Sequence, residues 1–252
     1  MVQFASFWYG QPLSAYEHLC ISSFIKAGHS FDLFSYDLEI NAPDGCKVRS
    51  ASEIYPKDKI FFYNEMPTPK VSAFSNMFRY RLVYETGCCW VDTDVLCLNA
   101  SLSLLESEIL FARQDAQFHN VAVLRFPAGH EAMRLAAEYC WERRNVSRFG
   151  DLGPGLFTQV VAEYGLEEWS RPSSTLYPVH YLESAALFDP QRLDWVLEQI
   201  SQSDMLHLWN ETFDRIGFDK IHRPPPGSYL ATVLEEAGLL GLFGSGDGDR
   251  SA

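Results

Sequence analysis

The stretch FSNMFRYRLVYETGCCWVDTDVLCL, Phe74 to Leu98, sets two polar clusters inside otherwise apolar secondary structure. Its second half is a short apolar run, Cys88 to Val91, that stops at Asp92, Thr93 and Asp94 before Val95, Leu96 and Leu98 resume. This reads as a strand ending in acid. Residues two apart on a strand point to the same face, so Asp92 and Asp94 are expected to present two carboxylates side by side. Paired oxygen ligands suit a hard divalent cation, and an ion held by one or two carboxylates keeps positions open for water and phosphate oxygens. The pair therefore points to a metal and a phosphate. In the first half, Ser75 is expected to cap a helix over Asn76 to Glu85 that Gly87 stops. Asn76 and Arg79 then share one helix face, and Arg79 offers five fixed donors and a permanent charge to a polyol or phosphate ligand.

Upstream, Val2 to Trp8 reads as a strand, Gly10 to Pro12 as a turn, and the residues through about Lys26 as a helix ended by Gly28. Phe31 to Tyr36 is a second strand, and such a start opens a mostly parallel sheet. Asn41 to Lys70 is loop-rich with short strands, interrupted by Pro43, Pro56, Pro67 and Pro69. Downstream, Ser101 to Glu106 reads as a short helical or turn segment, and Ile109 to Ala112 and Asn120 to Phe126 as strands. Glu131 to Arg144 is a helix. The turn FGDLGPG, with Gly150, Gly153, Pro154 and Gly155, leads into a helix from Leu156 to Tyr164; such a turn lets free backbone N–H groups approach a ligand. Asp189 and Pro190 start a helix to about Gln202, Met205 to Trp209 is extended, and a last helix spans Ser228 to Ala237. The reading is one α/β domain over residues 1–240 with a flexible tail over 241–252.

With 47% hydrophobic and 14% aromatic residues in 252, the chain has ample material for a core. A formal charge of −13 argues against nucleic acid as a partner and against simple attraction to anionic lipid. Arg143, Arg144 and Arg148 read as a solvated helix end rather than a binding patch. The six cysteines lack C-x-x-C spacing and read as buried free thiols in a reducing compartment. The sequence has no signal-like N-terminus and no apolar segment of spanning length. A cytoplasmic location is expected, with peripheral contact at the inner membrane left open.

Arg79, an apolar helix, a glycine and then WVDTDV resemble the signature of the D-X-D glycosyltransferases with a sugar-binding region. That family includes α-1,4-galactosyltransferases, yeast α-1,6-mannosyltransferases and bacterial capsular polysaccharide enzymes (family 32-like). FWYGQPLSAYEHLCISSFIKAGHSFDLFSYD, NVAVLRFPAGH, LGPGLFT and HLWNE follow in the family's order, so the resemblance spans Phe7 to about Glu211. Relatives usually carry Asp at the position of Asn76 and Gly-Gly at the positions of Gly87 and Cys88.

The resemblance implies a GT-A type nucleotide-diphospho-sugar transferase fold, with a mostly parallel central sheet flanked by helices. It implies metal-dependent, retaining transfer of a hexose from a nucleotide diphosphate sugar, with UDP-sugars the commonest donors of bacterial members. The acceptor would be a saccharide or lipid-linked saccharide in bacterial surface polysaccharide or glycolipid synthesis. Asp92, Asp94 and His207 would hold Mn²⁺ or Mg²⁺, an imidazole ligand favouring Mn²⁺. Trp8 would cover the base. Asn76, Arg79, Thr93 and Asn120 would contact the donor, and Asp151, Gly153 and Pro154 would lie where donor and acceptor meet. Read from residues alone, His207 is better explained as a structural histidine, Trp8 as core and Asn120 as a turn residue, and only the resemblance turns them toward ligands.

Two other readings use the same residues. An apolar strand ending in D-x-D also presents the nucleophile of haloacid dehalogenase-like phosphatases, and the tail contains GDGD. That fold, however, needs its first acid near the start of the domain. A non-catalytic sugar-nucleotide binding protein would keep donor and metal affinity without turnover.

Overall fold

The computed structural model of the chain describes residues 3–65, 68–99 and 106–243. The expected segment Ser101 to Glu106, save its last residue, and the tail from Gly244 onward, GDGD included, lie outside the described residues. A central sheet of seven strands takes the order β3-β2-β1-β4-β7-β6-β8. Its strands are β1 (Gln3–Trp8), β2 (Ser30–Ser35), β3 (Cys46–Ser50), β4 (Cys89–Val91), β6 (Leu110–Arg113), β7 (His119–Arg125) and β8 (Ser170–Arg171). A separate antiparallel ribbon pairs β5 (Val95–Cys97) with β9 (Met205–His207). Helices α1 (Ala15–Lys26), α2 (Ser72–Thr86), α3 (Glu131–Arg143), α4 (Leu156–Glu163) and α5 (Ser173–Leu176) precede α6 (Leu193–Ile200), α7 (Asn210–Phe213) and α8 (Tyr229–Glu236). The sheet is mostly parallel, with antiparallel pairing only on the two sides of β7. This is the helix-flanked, mostly parallel architecture expected.

The chain builds outward from β1 to β2 and β3, then returns to the other side of β1 with β4. Strand order thus reverses between β1, which ends at Trp8, and β4, which ends just before Asp92. In open α/β sheets the crevice at the carboxyl ends of such a pair is where ligands bind. Ser6 ties the pair together there, its hydroxyl donating to the Val91 carbonyl. β1 and β2 are buried along nearly their whole length, polar Ser6 and Asp32 included.

Helix α2 begins a turn earlier than expected. Val71 occupies the cap position with no side-chain cap bond, so Ser75 sits inside the helix. The cause is the apolar pair Ala73 and Phe74, both fully buried, whose packing outweighs the missing cap. The aromatic rings of Phe74 and Phe78 pack against Phe7, and Phe78 also meets Trp90. Gly87 stops α2 in the left-handed conformation (φ 66°), where a Cβ would come within 3.0 Å of the Ala128 amide.

Past the sheet the elements become short. The turn Asp151–Gly155 is a single π-type turn continuous with α4. The helix expected from Asp189 to Gln202 is a 3₁₀ turn, Pro190–Arg192, followed by α6, with Asp189 capping the Gln191 amide as expected. Leu240–Leu242 forms a last turn and Phe243 is buried against Tyr16. All six cysteines are unpaired, and Cys20, Cys88, Cys89 and Cys140 are buried.

Candidate active site

A cavity of about 620 Å³ opens where α2, β4, β7 and the segments around 150 and 210 meet. Asp92, Asp94, Arg79 and His207 are among its lining residues. Strand alternation is not what brings the two acids together. β4 ends at Val91, and Asp92 to Val95 form a turn closed by the Val95 amide on the Asp92 carbonyl at 3.1 Å. The Asp92 amide still donates to Ala122 of β7 at 2.7 Å, so the turn hangs from the sheet's last bond. Alternation instead pairs Asp92 with Trp90, whose indole N–H donates to Asp92 Oδ1 at 2.8 Å.

His207 arrives through the ribbon. Val95 lies opposite His207 in the β5–β9 register, and this places the imidazole Nε2 3.2 Å from Asp94 Oδ1. Trp209 follows with φ 59°, a conformation that non-glycine residues rarely adopt. Its indole N–H donates to the Val179 carbonyl at 2.8 Å and its ring lies 4.0 Å from that of His207, which hold the strained residue in place. The chain thereby turns so that the Asn210 amide donates to Asp94 Oδ2 at 2.8 Å.

The two carboxyls are driven apart in proton affinity. Burial pushes Asp92 above the usual carboxylate range against the pull of Arg79, with Asp94 adding to the rise. Burial acts on Asp94 in the same sense, but the His207 charge and the hydrogen bonds from His207 and Asn210 outweigh it and hold that carboxyl at about 2. One ligand atom each from Asp92, Asp94 and His207 lies within 4.8 Å of the others, close enough for one ion to bridge. Two carboxylates and one imidazole suit Mn²⁺ or Mg²⁺, so the residues fit the expected metal.

Arg79 is 4% exposed, and much of its donor capacity is spent on the protein. It pairs with Asp92 Oδ1 at 2.9 Å and donates to the Val121 carbonyl at 2.7 Å. It therefore braces the acid and presents less to a ligand than the sequence implies. Asn120 also lines the cavity, with its oxygen accepting from Ala122 at 2.7 Å and one N–H given to Gln114 at 2.8 Å. One N–H and one lone pair remain for a ligand. Asn76, 6% exposed, lies 3.5 Å from the Tyr63 hydroxyl and packs directly on Gly153, where an added Cβ would sit 3.1 Å from its Oδ1. Tyr63 accepts from the Leu152 amide at 3.2 Å and Tyr80 donates to the Leu152 carbonyl at 3.2 Å, which fastens the turn to α2.

Asp151 and Pro154 line the cavity; Gly153 is buried behind them, and one Asp151 oxygen accepts from the Arg148 amide at 2.8 Å. Thr93 and Trp8 are not among the lining residues. Trp8 is half-buried at the end of β1, its N–H given to the Gln11 carbonyl at 2.7 Å and its ring 5.8 Å from Lys220. Gln114, Phe118, Phe149, Tyr181 and Glu211 also line the cavity. They stand in loops and short turns with no periodicity to single them out. Trp90 is legible in the sequence, since it lies in β4 two residues before Asp92.

Residues 125–224 match the alpha 1,4-glycosyltransferase conserved region. No curated protein matches. Among solved structures, the chain is similar to the PaToxG glycosyltransferase, with 12% identity over 93% of this chain and 82% of that one (TM-score 0.49). It is also similar to the apo-form glycosyltransferase GlyE of Streptococcus pneumoniae TIGR4, with 15% identity over 96% of this chain and 63% of that one (TM-score 0.42). The region that matches the glycosyltransferase model takes in His207, which the fold brings beside the acidic pair Asp92 and Asp94 from outside that region.

Proposed function

We propose that the chain is a metal-dependent, retaining hexosyltransferase of GT-A type, using a nucleotide diphosphate sugar, in the first place a UDP-sugar. The observation that carries this is the meeting of Asp92, Asp94 and His207 on the wall of a cavity large enough for such a donor. When bound, Mn²⁺ or Mg²⁺ would neutralise charge on the leaving diphosphate as a Lewis acid. Asp92, Asp94 and His207 would hold it. Arg79 keeps Asp92 in place, Asn76 and Asn120 would orient the sugar, and Asp151 and Pro154 would border the acceptor. Trp8, at the end of β1 beside the strand-order reversal, would cover the base. No protein nucleophile is required, because the leaving phosphate oxygen can take the acceptor's proton.

The acceptor is a saccharide or lipid-linked saccharide of bacterial surface polysaccharide or glycolipid synthesis, and residues 1–240 act as one cytoplasmic domain. No helix among the described residues is long and apolar enough to cross a membrane. The test is nucleotide release across a panel of nucleotide sugars with Mn²⁺, Mg²⁺ or chelator, beside an Asp94→Asn control. Release of one nucleotide that requires metal and disappears in the control is the expected result. Absence of binding to every donor would overturn the reading.

A further inference from the structure

We infer that Trp90 is a positioning residue for the metal site: its indole N–H reserves Asp92 Oδ2 for the ion by preventing Arg79 from gripping both carboxylate oxygens. The inference rests on the metal-site reading above and goes beyond it by naming what sets the carboxylate's orientation.

Two donors converge on one oxygen. Trp90 Nε1 reaches Asp92 Oδ1 at 2.8 Å and Arg79 reaches the same atom at 2.9 Å. Among the described residues no hydrogen bond is made to Oδ2, while the Asp92 side chain keeps 26% exposure toward the cavity. Arginine and a carboxylate ordinarily prefer a two-pronged pair, with parallel N–H groups on both oxygens. Arg79 holds the means for one, because its Nε is buried without a hydrogen-bond partner. A buried orphan donor carries a standing desolvation cost, so the guanidinium is pulled toward a second acceptor. Trp90 opposes that movement twice. Its N–H fixes Oδ1, and its ring, 1% exposed, lies under the guanidinium with 5.0 Å between carbon and ring centroid. The Val121 carbonyl restrains the far nitrogen at 2.7 Å.

Without the indole N–H, Asp92 can pivot and Arg79 can close on both oxygens, removing one ligand from the ion. The experiment is calorimetric titration of Mn²⁺ into the full chain, Trp90→Phe, and a chain carrying benzothienylalanine at position 90. The last keeps the shape of tryptophan and replaces N–H by sulfur, so it separates lost hydrogen bonding from lost packing. Trp195→Phe, whose ring stacks on Arg192 elsewhere, controls for indole replacement. Mn²⁺ affinity is expected to fall about 10-fold in the isosteric chain, the usual scale for an outer partner of a metal ligand, with the unfolding temperature unchanged. In an Arg79→Lys background, which cannot form the two-pronged pair, the same replacement is expected to leave Mn²⁺ affinity unaltered. Undiminished affinity in the isosteric chain would overturn the inference, and an equal loss in the lysine background would overturn the part given to Arg79. Failure of the unaltered chain to bind Mn²⁺ or Mg²⁺ would instead overturn the metal-site reading itself.

Discussion

The cavity has two unlike walls. One is mounted on α2 and the end of β4, elements with extensive apolar packing, and there Asn76 and Arg79 are buried among fully buried aromatic rings. The other is made of the turn at 151–155 and the segment from His207 to Arg215, where chain direction depends on single bonds, glycine contacts and one left-handed tryptophan. Charges that must stay in place are attached to the rigid wall, and the surface that gives the cavity its shape is attached to the irregular one. Fixing charge before a ligand arrives avoids reorganisation later. A shape carried by turns can differ from one relative to the next without disturbing the core.

Changes that uncouple the walls should break this contrast in graded steps. The largest effect is expected from Asp94→Asn, since Asp94 belongs to the rigid wall yet is held by His207 and Asn210 of the other. Turnover should fall about 1,000-fold and Mn²⁺ binding should be lost in titrations, while circular dichroism stays native.

Gly153→Ala drives a methyl into Asn76 where the walls touch. Overpacking of this kind costs about 1–3 kcal/mol, to be read from denaturant unfolding, and KM for the donor should rise with little change in kcat. Tyr80→Phe removes only the hydroxyl that fastens the turn to α2. About 1 kcal/mol of stability should be lost, with a smaller rise in KM than for Gly153→Ala.

The smallest effect is general to both halves of the sheet. Burial lowers the proton affinity of His18 and His29 on one side and of His119 and His130 on the other. The unfolded chain therefore binds more protons than the folded one as pH falls below about 6.5. The stability these residues contribute is complete above that pH and declines on acidification, so the unfolding temperature should drop between pH 7 and pH 5. A drop confined to one half, seen by amide exchange, would sharpen the division.

The same division governs what the sequence discloses. The rigid wall is legible because its elements follow apolar periodicity. β1, α1, β2, β7 and the stop at Gly87 fall within a residue or two of expectation, and Asn76 and Arg79 are visible as polar residues on an apolar face. Legibility fails where tertiary packing overrides local preference, as when Phe74 draws the start of α2 back past Ser75. It fails again where function depends on partners distant in sequence. Nothing local tells that Val95 lies opposite His207, that Arg79 is spent on Asp92, or that Phe118, Phe149 and Tyr181 share a cavity. His207 and the turn at 151–155 gain a ligand role only through the family resemblance, since neither has a periodicity of its own.

The ribbon of β5 and β9 has a consequence for the chain as it is made. Asp94 and Asn210 are 116 positions apart, and His207 comes from the same late segment. Synthesis runs from the N-terminus, so the sheet's first strands and the acidic turn leave the ribosome long before the imidazole and the Asn210 amide exist to meet them. A nascent or prematurely terminated chain that stops before β9 thus lacks the meeting of Asp92, Asp94 and His207.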